Sequence, residues 1–212
     1  MKPRDQRRPS RMQMARSSCF ALCAVLVAMI SSTTASAQQR TPEEQIRAAV
    51  APAPIEMQDG AKVLGYSAEG KLVTLREGTN DLICLADDPE DDRFHVACYH
   101  NSLEPFMARG RELAAEGKSR EEIQQIREDE ANQGVFKMPE VPAALYSFTG
   151  PVDSFNYETG EVDGAGRLYV VYIPYATAET TGLSTTPSTG SPWLMNPGKP
   201  WAHIMLIPES GN

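Results

Sequence analysis

Residues 61–100 read AKVLGYSAEGKLVTLREGTNDLICLADDPEDDRFHVACYH, and the fold turns on how this stretch is paired. Four runs rich in β-branched and aromatic residues alternate with turn-forming residues: AKVLGY (61–66), KLVTLR (71–76), DLICLAD (81–87) and RFHVACYH (93–100). Such runs suit a pleated, half-buried surface, so each is predicted to be a strand. The linkers SAEG, EGTN and the acidic stretch around Asp88-Pro89-Glu90-Asp91-Asp92 are short, which predicts a four-stranded antiparallel meander.

Downstream of the four runs the period changes. Leu103, Phe106, Met107, Leu113 and Ala114 recur at helical spacing before Gly117, which predicts a helix packed on the sheet. Ser119-Arg120-Glu121-Glu122 is a capping box, and the charged segment to Gln133 has only Ile123 and Ile126 as apolar anchors, as a surface helix would. LYSF (145–148), RLYVVYI (167–173) and AHIMLI (202–207) are three further strand candidates. Upstream, Thr41-Pro42-Glu43-Glu44 is another capping box, opening a short lead-in helix that ends near Val50 ahead of Pro52 and Pro54. The expected class is α+β: a mostly antiparallel sheet with a helical pair inserted after the fourth strand.

The first 37 residues have the three parts of a secretory signal. Lys2, Arg4, Arg7, Arg8, Arg11 and Arg16 form a basic head, Cys19 to Ile30 an apolar run of 12 residues, and Ala35-Ser36-Ala37 a small-residue cleavage site. A membrane anchor needs about 20 apolar residues, more than this run supplies. The expected organisation is therefore a signal peptide at 1–37, a lead-in at 38–60 and one α+β domain at 61–212, with the product exported to the periplasm or beyond. Whole, the 212-residue chain carries a formal charge of -8; without residues 1–37 it has 14 Lys+Arg against 27 Asp+Glu, a net of -13. That surface repels nucleic acid and anionic lipid, so neither is an expected partner, and membrane insertion after cleavage is not expected.

Beyond the signal only Cys84 and Cys98 remain, on adjacent predicted strands in an oxidising compartment. A disulfide between them sets the hairpin register, placing Leu85 opposite Ala97, Ala86 opposite Val96 and Asp87 opposite His95. No Cys-x-x-Cys motif suggests redox chemistry. The blocks REGTN (76–80), Cys84, Asp87-Asp88-Pro89, Cys98 and the terminal WAHIMLIP (201–208) resemble those of a group of uncharacterised exported bacterial proteins. The resemblance implies export and a single shared domain; its members have no assigned activity, so it brings no site residues. The chain departs from the group at Leu103-Glu104-Pro105-Phe106-Met107, where those proteins often carry a Trp-rich helix.

No strong catalytic or cofactor motif is present, and no cofactor is expected. His95 and His100 have opposite parity on one strand, and with His203 they show no metal-ligand spacing, so no metal site is expected. The acidic turn from Asp87 to Asp92 lacks the glycine and distal glutamate of a calcium loop and reads as a solvated hairpin tip. Gly182-Leu183-Ser184-Thr185-Thr186 does not fit a Gly-x-Ser-x-Gly elbow. The most informative segment is the 28-residue stretch 174–201, with nine Ser/Thr and both tryptophans of the chain, long for a simple connection. Tyr175, Trp193 and Trp201 offer rigid aromatic area and, with His203, form the expected ligand-binding set for an unknown small molecule or envelope protein. Two other readings stand beside it: a proline-pinned loop whose tryptophans merely cover the sheet, and a hydrolase or metal-dependent enzyme centred on His203. Processing is directly testable: protein recovered from the cell envelope should begin at Gln38, and an intact N-terminus contradicts the signal reading.

Overall fold

The computed structural model describes residues 40–209, which belong to one compact unit; the signal-peptide expectation for 1–37 lies outside the described residues. In chain order the elements are α1 (Pro42–Val50), α2 (Ile55–Gln58), β1 (Lys62–Tyr66), β2 (Leu72–Arg76), β3 (Leu82–Leu85), β4 (Phe94–His100), α3 (Glu104–Ala115), α4 (Arg120–Asn132), β5 (Ala143–Gly150), β6 (Gly166–Tyr172), α5 (Ala178–Thr181), β7 (Trp193–Met195) and β8 (His203–Leu206). The strands form one eight-stranded mixed sheet in the order β2-β1-β3-β4-β5-β6-β8-β7. Among the described residues no helix is long and apolar enough to cross a membrane.

The simple meander expected for 61–100 is not what forms. β1 and β2 make an antiparallel hairpin, but β3 lies on the other side of β1 and runs parallel to it, with Val63 opposite Cys84. β2 is thereby left at the sheet edge. The physical reason is the EGTN linker, which does not turn back beside β2 but passes over the end of β1. There the Thr79 and Asn80 amides both donate to the Gly60 carbonyl, at 2.7 and 3.0 Å. Asn80 bridges the crossing, its side-chain amide donating to the Met57 carbonyl (2.8 Å) while its Oδ1 accepts from the Leu82 amide (2.9 Å). Gly78 makes the close approach possible, because a Cβ at that position would sit 2.7 Å from the Lys62 backbone nitrogen.

Both faces of the sheet are covered. On one, Val63, Cys84 and Cys98 pack under Ala49 and Val50 of α1, and Phe94, Val96 and Phe148 continue that layer beneath Ala48 and Phe155. The capping box at Thr41 does form, with the Glu44 amide donating to Thr41 Oγ1 (3.2 Å) and the Thr41 amide to Glu44 Oε2 (2.8 Å). The helix it opens is part of the core, however, and not a surface lead-in: Ala48 and Ala49 are fully buried. Their small side chains let the α1 backbone approach the disulfide, with the Cys98 sulfur 3.2 Å from the Ala49 carbonyl oxygen.

On the opposite face, Leu103 and Phe106 pack against Ile83, Tyr99, Val170 and Tyr172. α4 contributes no buried residue; Arg109 on α3 clasps it by donating from Nε and Nη2 to the Glu130 carboxylate at 2.9–3.1 Å.

The bond between Cys84 and Cys98 is present, across a directly opposed pair with Cα atoms 4.0 Å apart, and Leu85 opposes Ala97 as the pairing requires. Both sulfurs are fully buried beneath α1. Closing this loop should contribute about 2 to 4 kcal/mol. Replacing both cysteines by alanine should therefore lower the unfolding free energy by that amount in urea titrations, whereas equal midpoints contradict a stapling role.

Candidate functional site

The segment 174–200 is built into the sheet. Its residues Trp193–Met195 form the edge strand β7 on β8, with Trp193 opposite Met205 and Met195 opposite His203. Trp193, Trp201 and His203 are each at least nine-tenths buried. Trp201 stacks on Phe106 with ring centroids 5.9 Å apart, and the His203 ring lies 5.0 Å from Tyr172.

His203 Nδ1 is 2.6 Å from the Trp201 carbonyl oxygen, so that nitrogen carries the proton and donates. Burial pushes the imidazole below its ordinary pKa, although the Trp201 carbonyl opposes the shift. Among the described residues neither a hydroxyl nor a carboxylate hydrogen-bonds this ring, so the geometry offers His203 no relay partner. Of the four expected binding residues, the structure thus gathers Trp193, Trp201 and His203 into packed interior and sets Tyr175 apart.

Tyr175 is half exposed and lines an open cleft of about 580 Å³ between the end of α4, the proline-rich segment 136–142 and the end of β6. Phe136, Met138, Val141, Pro142 and Pro174 supply the apolar wall. The backbone here is unusual. Ile173-Pro174-Tyr175-Ala176 is a β-turn closed by the Ala176 amide donating to the Ile173 carbonyl at 3.1 Å. Tyr175 occupies its third position at φ 62°, where glycine or asparagine ordinarily stands. The neighbours pin it there: its own amide donates to the Lys199 carbonyl (2.9 Å), its hydroxyl to Asn132 Oδ1 (3.3 Å), and Lys199 Nζ donates to Glu128 on α4 (2.6 Å).

A second cleft, of about 290 Å³, lies where α1 meets the β3–β4 turn and the segment 152–157. Tyr66 and Tyr157 form aromatic walls, and Asp87, Asp88 and Asp91 supply charge. Gln45 ties α1 to β1 at the rim, accepting from the Tyr66 amide (2.8 Å) and donating to the Tyr66 carbonyl (3.0 Å). The Tyr66 hydroxyl donates to Asp88 Oδ2 at 3.0 Å, and the Arg40 guanidinium sits 3.9 Å above the Tyr157 ring.

The strand register ends at Leu85 opposite Ala97, so Asp87 lies beyond the paired residues and meets His95 through its side chain: its Oδ1 accepts from the His95 amide at 2.7 Å. The His95 ring instead lies 3.3 Å from Thr149 Oγ1. Burial raises the Asp87 carboxyl to about 6, reinforced by Asp91 and Asp88 and opposed by the His95 amide and Arg40. For the same burial reason, together with the hydrogen bond to Asp88, Tyr66 is shifted well above an ordinary phenol. Perturbed carboxylates in a cleft are a recognised mark of functional sites.

No family model, curated protein or solved structure matches the chain. Among the described residues no group of three or more His, Cys, Asp or Glu side chains is arranged to hold a metal ion. The second cleft was not visible in the sequence as a site. The acidic turn was the available signal, but its tyrosine walls come from β1 and from residue 157, brought to it only by the parallel β1–β3 pairing and the return of β5 beside β4.

The Asp87 shift has a measurable sign. The folded state holds this proton more tightly than the unfolded chain, with a pKa near 6 against 3.8, so stability falls as pH rises between those values. Asp87→Asn keeps an oxygen acceptor for the His95 amide and removes the charge. It should stabilise the protein by about 1 kcal/mol at pH 7, less than full linkage because the half-buried carboxylate is screened by solvent. At pH 3.5 the two proteins should unfold alike; a less stable variant at pH 7 contradicts the account.

Proposed function

We propose that this is an exported, disulfide-stapled, non-catalytic binding protein; the resemblance to uncharacterised exported proteins supports the export. Its ligand, a small molecule with an apolar body, is taken up in the Tyr175 cleft. The observation that carries this reading is the backbone of Tyr175. A bulky residue at φ 62° costs roughly 1 kcal/mol or more relative to glycine, and residues held in that region cluster at ligand clamps. The turn would form with glycine; tyrosine keeps a large, half-exposed ring in the cleft. The cleft volume of about 580 Å³ falls in the range of small-molecule sites, and its wall combines apolar side chains with Lys137 and Glu140 for orientation.

Native mass spectrometry of the exported protein, with an anilinonaphthalene dye as apolar probe, tests the reading. Tyr175→Gly should weaken dye binding at least fivefold while leaving stability unchanged or up to about 1 kcal/mol higher, since it relieves the turn. Trp193→Ala should instead cost about 3 to 5 kcal/mol, as the loss of a buried aromatic does. Neither a co-purifying ligand nor dye binding in the wild type, or dye binding unaffected by Tyr175→Gly, contradicts the proposal.

A further inference from the structure

The Tyr66–Tyr157 cleft is separate from the Tyr175 cleft and shares no lining residue with it. We infer that it is a second binding site, selective for an organic cation bearing a guanidinium or primary ammonium head on a short alkyl chain. The site is a partly enclosed cleft rather than a bare acidic turn: Ala48, Pro89 and Val152 give it apolar surface, and the two tyrosines give it aromatic walls. Among the described residues that line it the charge is one-sided, three carboxylates against one cation, Arg40. An anion would therefore enter against the field, while a cation is drawn in.

The chain itself shows which chemistry fits. Arg40 places its guanidinium over Tyr157 at cation–π distance and lies close enough to Asp87 to favour that carboxylate's ionised form. Arg40 is exposed and precedes the α1 cap; what anchors its backbone is the Gln45 side-chain amide donating to the Arg40 carbonyl at 3.1 Å. The side chain can thus swing away without disturbing the helix, making Arg40 a tethered competitor for the site it occupies.

A bare metal ion is a poorer match: among the described residues no group of three or more His, Cys, Asp or Glu side chains is arranged to hold one, and three of the carboxylate oxygens are already engaged by donors of the protein. Asp88 Oδ2 accepts from Tyr66, Asp88 Oδ1 from the Glu90 amide (3.0 Å), and Asp87 Oδ1 from the His95 amide. Among the described residues no hydrogen bond is made to Asp87 Oδ2, so it can receive an N–H from a ligand, with the aromatic rings beside the cationic head.

The experiment is calorimetric titration of the exported protein at low salt with n-butylguanidinium and n-butylammonium, with n-butyrate and calcium as contrasts. At least one of the two cations should bind and butyrate should not. Asp87→Asn should weaken cation binding at least tenfold, and Arg40→Ala should tighten it severalfold by removing the internal competitor. Thermal unfolding of each variant confirms that the fold is retained. Failure of Arg40→Ala to bind either cation, weaker binding by it than by the wild type, equal binding by Asp87→Asn, or binding of calcium or butyrate alone overturns the inference. Because dye binding reports on the other cleft, failure here leaves the Tyr175 reading standing, and the reverse.

Discussion

The covalent pairing of Cys84 with Cys98 joins two interior strands of the sheet, and the Tyr66–Tyr157 cleft inherits its geometry from it. With these residues opposed, β3 and β4 have a single register, and a slip by one residue would turn every buried side chain of the hairpin to the wrong face. The same pairing fixes both sides of the sheet. Cys84 and Cys98 point under α1, while Ile83 and Tyr99, one residue along, point to α3. Asp87 reaches the His95 amide because the hairpin end follows from that register.

Around this hairpin the chain spends several strained or close-fitting contacts. Gly78 crosses the end of β1 where no side chain would fit, which explains why the REGTN block carries a glycine. Ala48 and Ala49 are small so that α1 can sit down on the disulfide. Tyr175 and Asp87 differ from these. In each, a residue less costly to folding exists, glycine for Tyr175 and asparagine for Asp87, and the costlier residue places a ring or a charge in a cleft. These two residues are the ones on which the proposed sites rest.

Much of the local structure was legible in the sequence. Both capping boxes that were read formed, and the three later strand candidates lie where alternation placed them, at β5, β6 and β8. The disulfide could be read because only two of the four cysteines lie outside the segment with signal-peptide character. Long-range order was less accessible. Nothing in the spacing of EGTN separates a turn back onto β2 from a crossing over β1, since the distinguishing hydrogen bonds run to Gly60 and Met57. β7 was hidden because three residues are too few to show a period, and its pairing depends on β8. Of the expected site, Tyr175 lines a cleft, whereas the burial of Trp193, Trp201 and His203 follows from packing against Phe106, Tyr172 and β8 that the loop composition did not reveal.

The placement of β3 between β1 and β4 brings Tyr66 of β1 to the acidic turn, and backbone nuclear Overhauser contacts in the oxidised protein test it most directly. The account predicts contacts between Val63 and Cys84 and between Cys84 and Cys98, with no strand-pairing contacts joining β2 to β3. Pairing contacts between Leu72–Arg76 and Leu82–Leu85 would restore the simple meander and contradict it.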